Sequence, residues 1–273
     1  MIYYINLVKG LSILFLLCAA SPFTNIAAQS KSCWPDSLKE QRRNVTMVEL
    51  ANTPYNGIVR IRLNNGDGWG TGALIADNMI ITARHVLATY SLKSIGLQYS
   101  LQNGDTMIRL SKRDFDIIYN KKHAKPSDID YDLALIKIKN PLLIKWNADK
   151  VSFKMLDFFT LKPSITNEIH FTSYPFDKVG ITLYEEKKRD TLVESKTSLN
   201  KILFNERGSM MGYLMYTCNG DSGGPLWVEI EKNIYLVGIC QGWSNIFFRN
   251  PYLHNAVLLN TEKVDWINSY LNR

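Results

Sequence analysis

Cysteine is scarce in this chain, with four among 273 residues, too few for a fold built on disulfides. Histidine is equally sparse, and His85, His123, His170 and His254 stand far apart without a His-Glu-x-x-His string, so no zinc site and no catalytic metal is expected. The string Asp128-Ile-Asp130-Tyr-Asp132 opens like a calcium loop. However, Leu133 stands where such a loop needs glycine and Asn140 where it needs the bidentate glutamate. Past the first residues there is no uninterrupted apolar stretch near the roughly 20 residues a membrane span requires, so no span is expected. Internal repeats, heptads and low-complexity tracts are absent too. The basic residues exceed the acidic ones, for a formal charge of +7. Their short runs, Arg42-Arg43, Lys121-Lys122 and Lys187-Lys188-Arg189, lack interleaved aromatics and read as solvated loops rather than a nucleic-acid surface. No cofactor is called for.

What is present begins with an export signal. Lys9, the apolar run Leu11 to Ala20 and small residues before Gln29 have the layout of a signal peptide over residues 1–28, cleaved near Ala28, which implies a secreted or periplasmic protein. Leu16 and Leu17 precede Cys18 where a lipoprotein signal places small residues, which argues against a lipid anchor. Loss of the signal leaves Cys33, Cys218 and Cys240, an odd number that permits at most one intramolecular disulfide. Residues 29–46 are polar and read as a leader or a propeptide. From there, segments rich in β-branched and aromatic residues recur between turn residues: Ile58 to Leu63, Gly72 to Ile75, Met79 to Thr82, Asp132 to Ile138, Ile169 to Tyr174, Tyr213 to Thr217, Tyr235 to Ile239 and Ala256 to Leu259. Asn64-Asn-Gly-Asp-Gly68 is a hairpin turn, because these residue types tolerate positive φ. Asn260 or Thr261 can cap a closing helix over 261–272 with Val264, Ile267 and Leu271 on one face. A less regular stretch, Asn140 to Pro163, divides two strand-rich halves. The spacing predicts an all-β protein of two packed units, about 47–145 and about 160–260, expected as a monomer.

Three strings carry chemistry: Ile81-Thr-Ala-Arg-His85-Val, Asp130-Tyr-Asp132-Leu-Ala-Leu-Ile136, and Cys218-Asn-Gly-Asp-Ser222-Gly-Gly-Pro225. A serine hydroxyl is a poor nucleophile at neutral pH. It needs a base within hydrogen-bond reach and a third group that fixes the base's tautomer. His85 alone would read as a core histidine and Asp132 as a strand-end acid; their place in the pattern with Ser222 is what raises them. The glycines around Ser222 allow a sharp turn that aims the amides of Gly220 and Ser222 at one spot, an oxyanion hole. Gly220-x-Ser222-x-Gly224 also fits the nucleophile elbow of an α/β-hydrolase esterase, but an elbow serine opens a helix, and strand-like residues follow here.

On Thr82-Ala-Arg-His85, Asp132-Leu-Ala-Leu and Gly220-Asp-Ser-Gly-Gly-Pro225, in that order, the sequence resembles the chymotrypsin and trypsin-like family of serine proteases. Trp69-Gly-Thr-Gly-Ala-Leu-Ile75 and Leu236-Val-Gly-Ile239 are similar to the family's strands before the histidine and after the serine. The resemblance implies two packed antiparallel six-stranded β-barrels with a C-terminal helix over a protease domain at 47–273. It also implies endopeptidase activity on protein or peptide substrates through His85, Asp132 and Ser222. Ser173-Tyr-Pro-Phe-Asp-Lys178 and Asn255-Ala-Val257 look like the bacterial glutamyl endopeptidase branch, while Cys218 and Asp221 look like the trypsin branch. The latter implies that Asp221 pairs with an N-terminal amine freed by cleavage, for which Arg43 is a candidate site, and that Cys218 and Cys240, both near the pocket, form the disulfide. The resemblance places Tyr216, Thr217, Cys240, Gln241 and Trp243 around the substrate pocket. Tyr216 stands where a pocket aspartate would select Arg or Lys, Thr217 matches a small hydroxyl residue of the glutamyl branch, and Cys240 replaces that branch's histidine. Gln241 stands in place of a serine that supports the aspartate in relatives. That substitution keeps open a protease-like binding protein without turnover as the non-enzyme alternative.

Overall fold

The computed structural model describes residues 33–34, 42–52, 54–64, 68–88, 92–99, 107–120, 128–141, 153–162, 168–175, 192–205, 208–213, 215, 217–243 and 254–271. The expected signal peptide with Cys18, and Tyr216, lie outside them. The chain divides into Met1–Lys31 and Ser32–Arg273, and all described residues belong to the second unit.

This unit opens with β1 (Cys33–Trp34), β2 (Arg42–Asn44) and the one-turn helix α1 (Met47–Leu50). Thr46 and Glu49 close a capping box on α1, each satisfying the other's backbone amide. Seven strands then make the first sheet: β3 (Ile58–Leu63), β4 (Gly68–Ala76), β5 (Met79–Thr82), β6 (Ser94–Tyr99), β7 (Met107–Ser111), β8 (Phe115–Tyr119) and β9 (Ala134–Ile138), in the order β7-β6-β3-β4-β5-β9-β8. The helix α2 (Arg84–Ala88) leaves the end of β5. The hairpin expected at Asn64 to Gly68 joins β3 to β4, with Leu63 opposite Gly68 and Asn64 at φ 42°. Branched side chains of β3, β5 and β9 fill the interior, where Ile58, Ile61, Ile80, Ile81, Leu135 and Ile136 are fully buried.

The second sheet uses β10 (Lys154–Met155), β11 (Glu168–Ser173), β12 (Val193–Ser198), β13 (Ile202–Phe204), β14 (Met210–Tyr213), β16 (Pro225–Ile230), β17 (Asn233–Trp243) and β18 (His254–Leu258). The helix α3 (Phe158–Leu161) follows β10, and the short β15 (Thr217–Cys218) pairs instead with β1. Its order is β13-β14-β18-β17-β16-β11-β12-β2, with β10 lying parallel to β17. Two curled, essentially antiparallel sheets and a C-terminal helix are therefore present, as expected. The sheets carry seven and nine strands among the described residues rather than six, the second including β10 and the early strand β2. The closing helix α4 (Thr261–Leu271) is capped by Asn260, whose side chain accepts from the Lys263 amide, and Val264 and Ile267 point into the core. Among the described residues no helix is long and apolar enough to cross a membrane.

Candidate active site

Strand register brings the histidine and the aspartate together. β5 pairs antiparallel with β9, with Thr82 opposite Ala134. The chain leaving β5 therefore reaches His85 three residues later, beside Asp132, which lies two residues before Ala134. The Arg84 amide donates to the Asp132 carbonyl at 3.2 Å. The Asp132 carboxylate, 8 % exposed, receives two bonds from one residue: the His85 backbone amide to Oδ1 at 2.8 Å and His85 Nδ1 to Oδ2 at 2.7 Å. A carboxylate on Nδ1 keeps the proton on that nitrogen and leaves Nε2 with its lone pair, the tautomer a general base needs. The imidazole itself stays 44 % exposed.

The Ser222 loop docks on the same strand ends. The Thr71 amide, in β4, donates to the Ser222 carbonyl at 2.8 Å, and its hydroxyl donates to the Gly220 carbonyl at 2.9 Å. That hydroxyl accepts in turn from the Tyr174 amide at 2.9 Å, and the Thr71 carbonyl accepts from the Thr82 hydroxyl at 2.7 Å. So close an approach excludes side chains. A Cβ on Gly223, at φ +85°, would meet the Thr71 carbonyl and the Thr82 hydroxyl at 2.1 Å each, and one on Gly70 would meet Val86 at 2.8 Å and the Ser222 carbonyl at 2.9 Å. The Ser222 loop is thus packed through backbone contacts against Thr71 of β4, and its Gly223 lies close to Thr82, three residues before His85.

The loop's amides divide into used and spare. Those of Asp221, Gly223 and Gly224 donate to the carbonyls of Cys218, Cys240 and Asp221. Among the described residues, the amides of Gly220 and Ser222 donate to nothing. Two neighbouring donors without an acceptor are what an oxyanion needs. Ser222 Oγ donates to the Gln241 carbonyl at 3.3 Å.

Asp221 is buried, with a side chain 1 % exposed. Its carboxylate accepts from Ser173 Oγ at 2.6 Å and the Cys218 amide at 2.5 Å, and it is spanned by the Arg42 guanidinium at 2.8 and 2.7 Å. The cation expected there was a freed N-terminal amine; the side chain of Arg42 takes both oxygens instead. Sequence reading missed this partner, which lies 179 residues away in the chain.

The disulfide expectation is overturned. Cys240 is a buried free thiol, whereas Cys218 is disulfide-bonded. Cys240 faces the interior of β17, its sulfur accepting from the Tyr213 hydroxyl at 3.1 Å, and burial pushes its thiol up to about 12. Cys218 instead faces β1, where the backbone of Cys33 stands directly opposite. Of the other expected pocket residues, Thr217 is buried with its hydroxyl bonded to the His254 ring, a partner no motif announced. The Gln241 side-chain oxygen is buried without a hydrogen-bond partner among the described residues. Trp243 pairs by backbone with His254.

The family model described as Trypsin matches residues 47–246. The chain belongs to the trypsin family. This trypsin-family chain is similar in fold to a Glu endopeptidase solved in complex with MPD, at 18 % identity and a TM-score of 0.61, covering 85 % of this chain and 97 % of that one. It is also similar to HL collagenase, at 17 % identity and a TM-score of 0.56, covering 80 % and 94 %. A strand, β16, follows the serine loop, as in a trypsin-type site and unlike a nucleophile elbow, so the esterase reading falls away.

Proposed function

We propose that this trypsin-family protein is an exported serine endopeptidase in which Ser222 attacks the scissile carbonyl, His85 takes its proton, and Asp132 holds the imidazole in the required tautomer. The observation that carries this reading is the docking of the Ser222 loop on Thr71 and beside Thr82, next to the strand end from which the doubly bonded His85–Asp132 pair projects. The spare amides of Gly220 and Ser222 would receive the tetrahedral oxyanion. Each is worth roughly 2.7–4 kcal/mol at the transition state in such sites. Collapse of that intermediate expels the amine, protonated by His85, and leaves an acyl-enzyme. Water activated by the same histidine then releases the acid. Thr217, Gln241 and the strand from Cys240 to Trp243 would wall the substrate pocket, with the Thr217 hydroxyl oriented by His254 and the Cys240 sulfur withdrawn into the core.

The test is hydrolysis of a fluorogenic peptide library by the secreted protein beside Ser222→Ala. Cleavage lost in the variant is expected. Cleavage that survives the substitution would remove Ser222 from the chemistry.

A further inference from the structure

The strand carrying Arg42 and Arg43 has no part in the proposed reaction, yet both arginines reach buried carboxylates, one in the serine loop and one in the second sheet. β2 pairs with β12 so that Arg42 lies opposite Ser195, Arg43 opposite Glu194 and Asn44 opposite Val193. The Val45 amide continues the ladder to the Leu192 carbonyl at 2.9 Å. Arg42, with a side chain 8 % exposed, spans Asp221. Arg43 reaches Glu194 at 2.7 Å, where Tyr55 and His170 also donate. Upstream, β1 pairs with Thr217–Cys218 at the start of the nucleophile loop. A cut after Arg43 would split β2 between two paired residues and leave the Asp221 partner on the severed piece.

We propose that β1 and β2 are retained parts of the working domain, and that Arg42 is a positioning residue that holds the amides of Gly220 and Ser222 in place through Asp221. The inference rests on the serine protease reading above. Asp221 sits between the two amides, and its backbone closes the loop by donating to the Cys218 carbonyl and accepting from Gly224. Its carboxylate has three kinds of donor, of which Arg42 alone carries charge. A buried carboxylate deprived of its cation is driven toward water. Any such movement rotates the Asp221–Ser222 peptide plane, which presents the spare Ser222 amide, and through the Gly220–Asp221 peptide it displaces Gly220, whose own amide is the other spare donor. A single guanidinium nitrogen, Arg42 Nη2, bonds both oxygens and supplies from within the uncut chain the charge that a freed terminal amine would otherwise supply, while Nη1 donates to Cys218 Sγ.

The experiment measures inactivation by a fluorophosphonate, in which Ser222 Oγ gives its proton to His85 and bonds phosphorus, fluoride leaves, and the phosphoryl P=O oxygen, which bears the negative charge in the transition state, sits where the oxyanion would. Wild type, Arg42→Ala and Arg42→Lys are compared, with circular dichroism to establish folding, and the N-terminal sequence of the labelled wild-type species is read. The expected result is a labelled wild type that retains Arg42. In Arg42→Ala, the maximal inactivation rate should fall roughly 100-fold, as when one oxyanion donor is lost, with little change in half-saturating concentration and partial recovery on adding guanidinium ion. Arg42→Lys should lie between, keeping the charge without the second nitrogen that reaches Cys218 Sγ. A folded Arg42→Ala that reacts as fast as wild type would overturn the proposal. So would a labelled wild type that begins after Arg43, a readout that holds even where the alanine variant does not fold. A wild type that takes no label at Ser222 would instead strike the underlying protease reading.

Discussion

Asp132 shows how much rests on single atoms. Its two oxygens hold the His85 ring and the His85 backbone separately, so Asp132→Asn would keep the size but present an NH₂ or a weaker acceptor to Nδ1 and favour the wrong tautomer. The variant should fold and lose roughly 10⁴-fold in kcat, measured by peptide hydrolysis under saturating substrate. Gly223 is constrained by space rather than chemistry. A methyl there would sit 2.1 Å from two oxygens, so Gly223→Ala should lower the thermal midpoint and abolish activity together. At this scale the sequence was legible in part. His85, Asp132 and Ser222 stood out because three short strings in a fixed order are informative, and the glycine string pointed to the amides of Gly220 and Ser222. Thr71 and Arg42 could not be read the same way. Their roles arise only once the two sheets meet, and no local pattern encodes a contact between residues 42 and 221.

Among the elements, β3 and β5 matched their expected bounds to the residue, since both are runs of branched apolar side chains between turn residues. β12, Val-Glu-Ser-Lys-Thr-Ser, gave no such signal. Its Glu194, Ser195 and Thr197 are buried polar residues; Glu194 is held by partners from β2, β11 and the turn at Tyr55, whereas the Ser195 and Thr197 hydroxyls are buried without a hydrogen-bond partner among the described residues. The leader over 29–46 was assigned on polarity alone, and polarity cannot distinguish a free segment from a strand whose arginines are all engaged. β2 also makes stability depend on pH. Burial alone would raise the Glu194 carboxyl, but His170, the Tyr55 hydroxyl and Arg43 outweigh it and hold it below the ordinary value of 4.5. The Arg43 guanidinium, with the amide and hydroxyl of Thr46, holds Glu49 down at about 2. A carboxyl held lower in the folded state than in the unfolded one contributes stability that is complete above the ordinary value and is lost as pH falls through the folded one. The thermal midpoint should therefore stay level above pH 5 and fall between about pH 4.5 and pH 2. The fall should be smaller in Arg43→Met, which has already lost the partner. A midpoint unchanged down to pH 2 would contradict the assignment of these ion pairs.

For the whole molecule, two sheets with the proposed site at their junction explain why the fold class could be read while the cysteine pairing could not. Strand periodicity is local; a disulfide depends on which strands face each other. The resemblance placed Cys218 and Cys240 near one pocket, but β17 turns Cys240 into the core beside Tyr213 and β1 comes to lie against Cys218. An iodoacetamide experiment follows from this. With burial pushing the thiol up to about 12, Cys240 should remain unmodified in the native protein at pH 8 and react once unfolded. The central claim concerns Ser222. The most direct measurement is the mass of the purified protein after reaction with a fluorophosphonate, beside Ser222→Ala and His85→Ala. We expect one phosphonyl group on Ser222 in the wild type and none in either variant. A folded wild type that takes no label, or one that labels equally well without His85, would contradict the account.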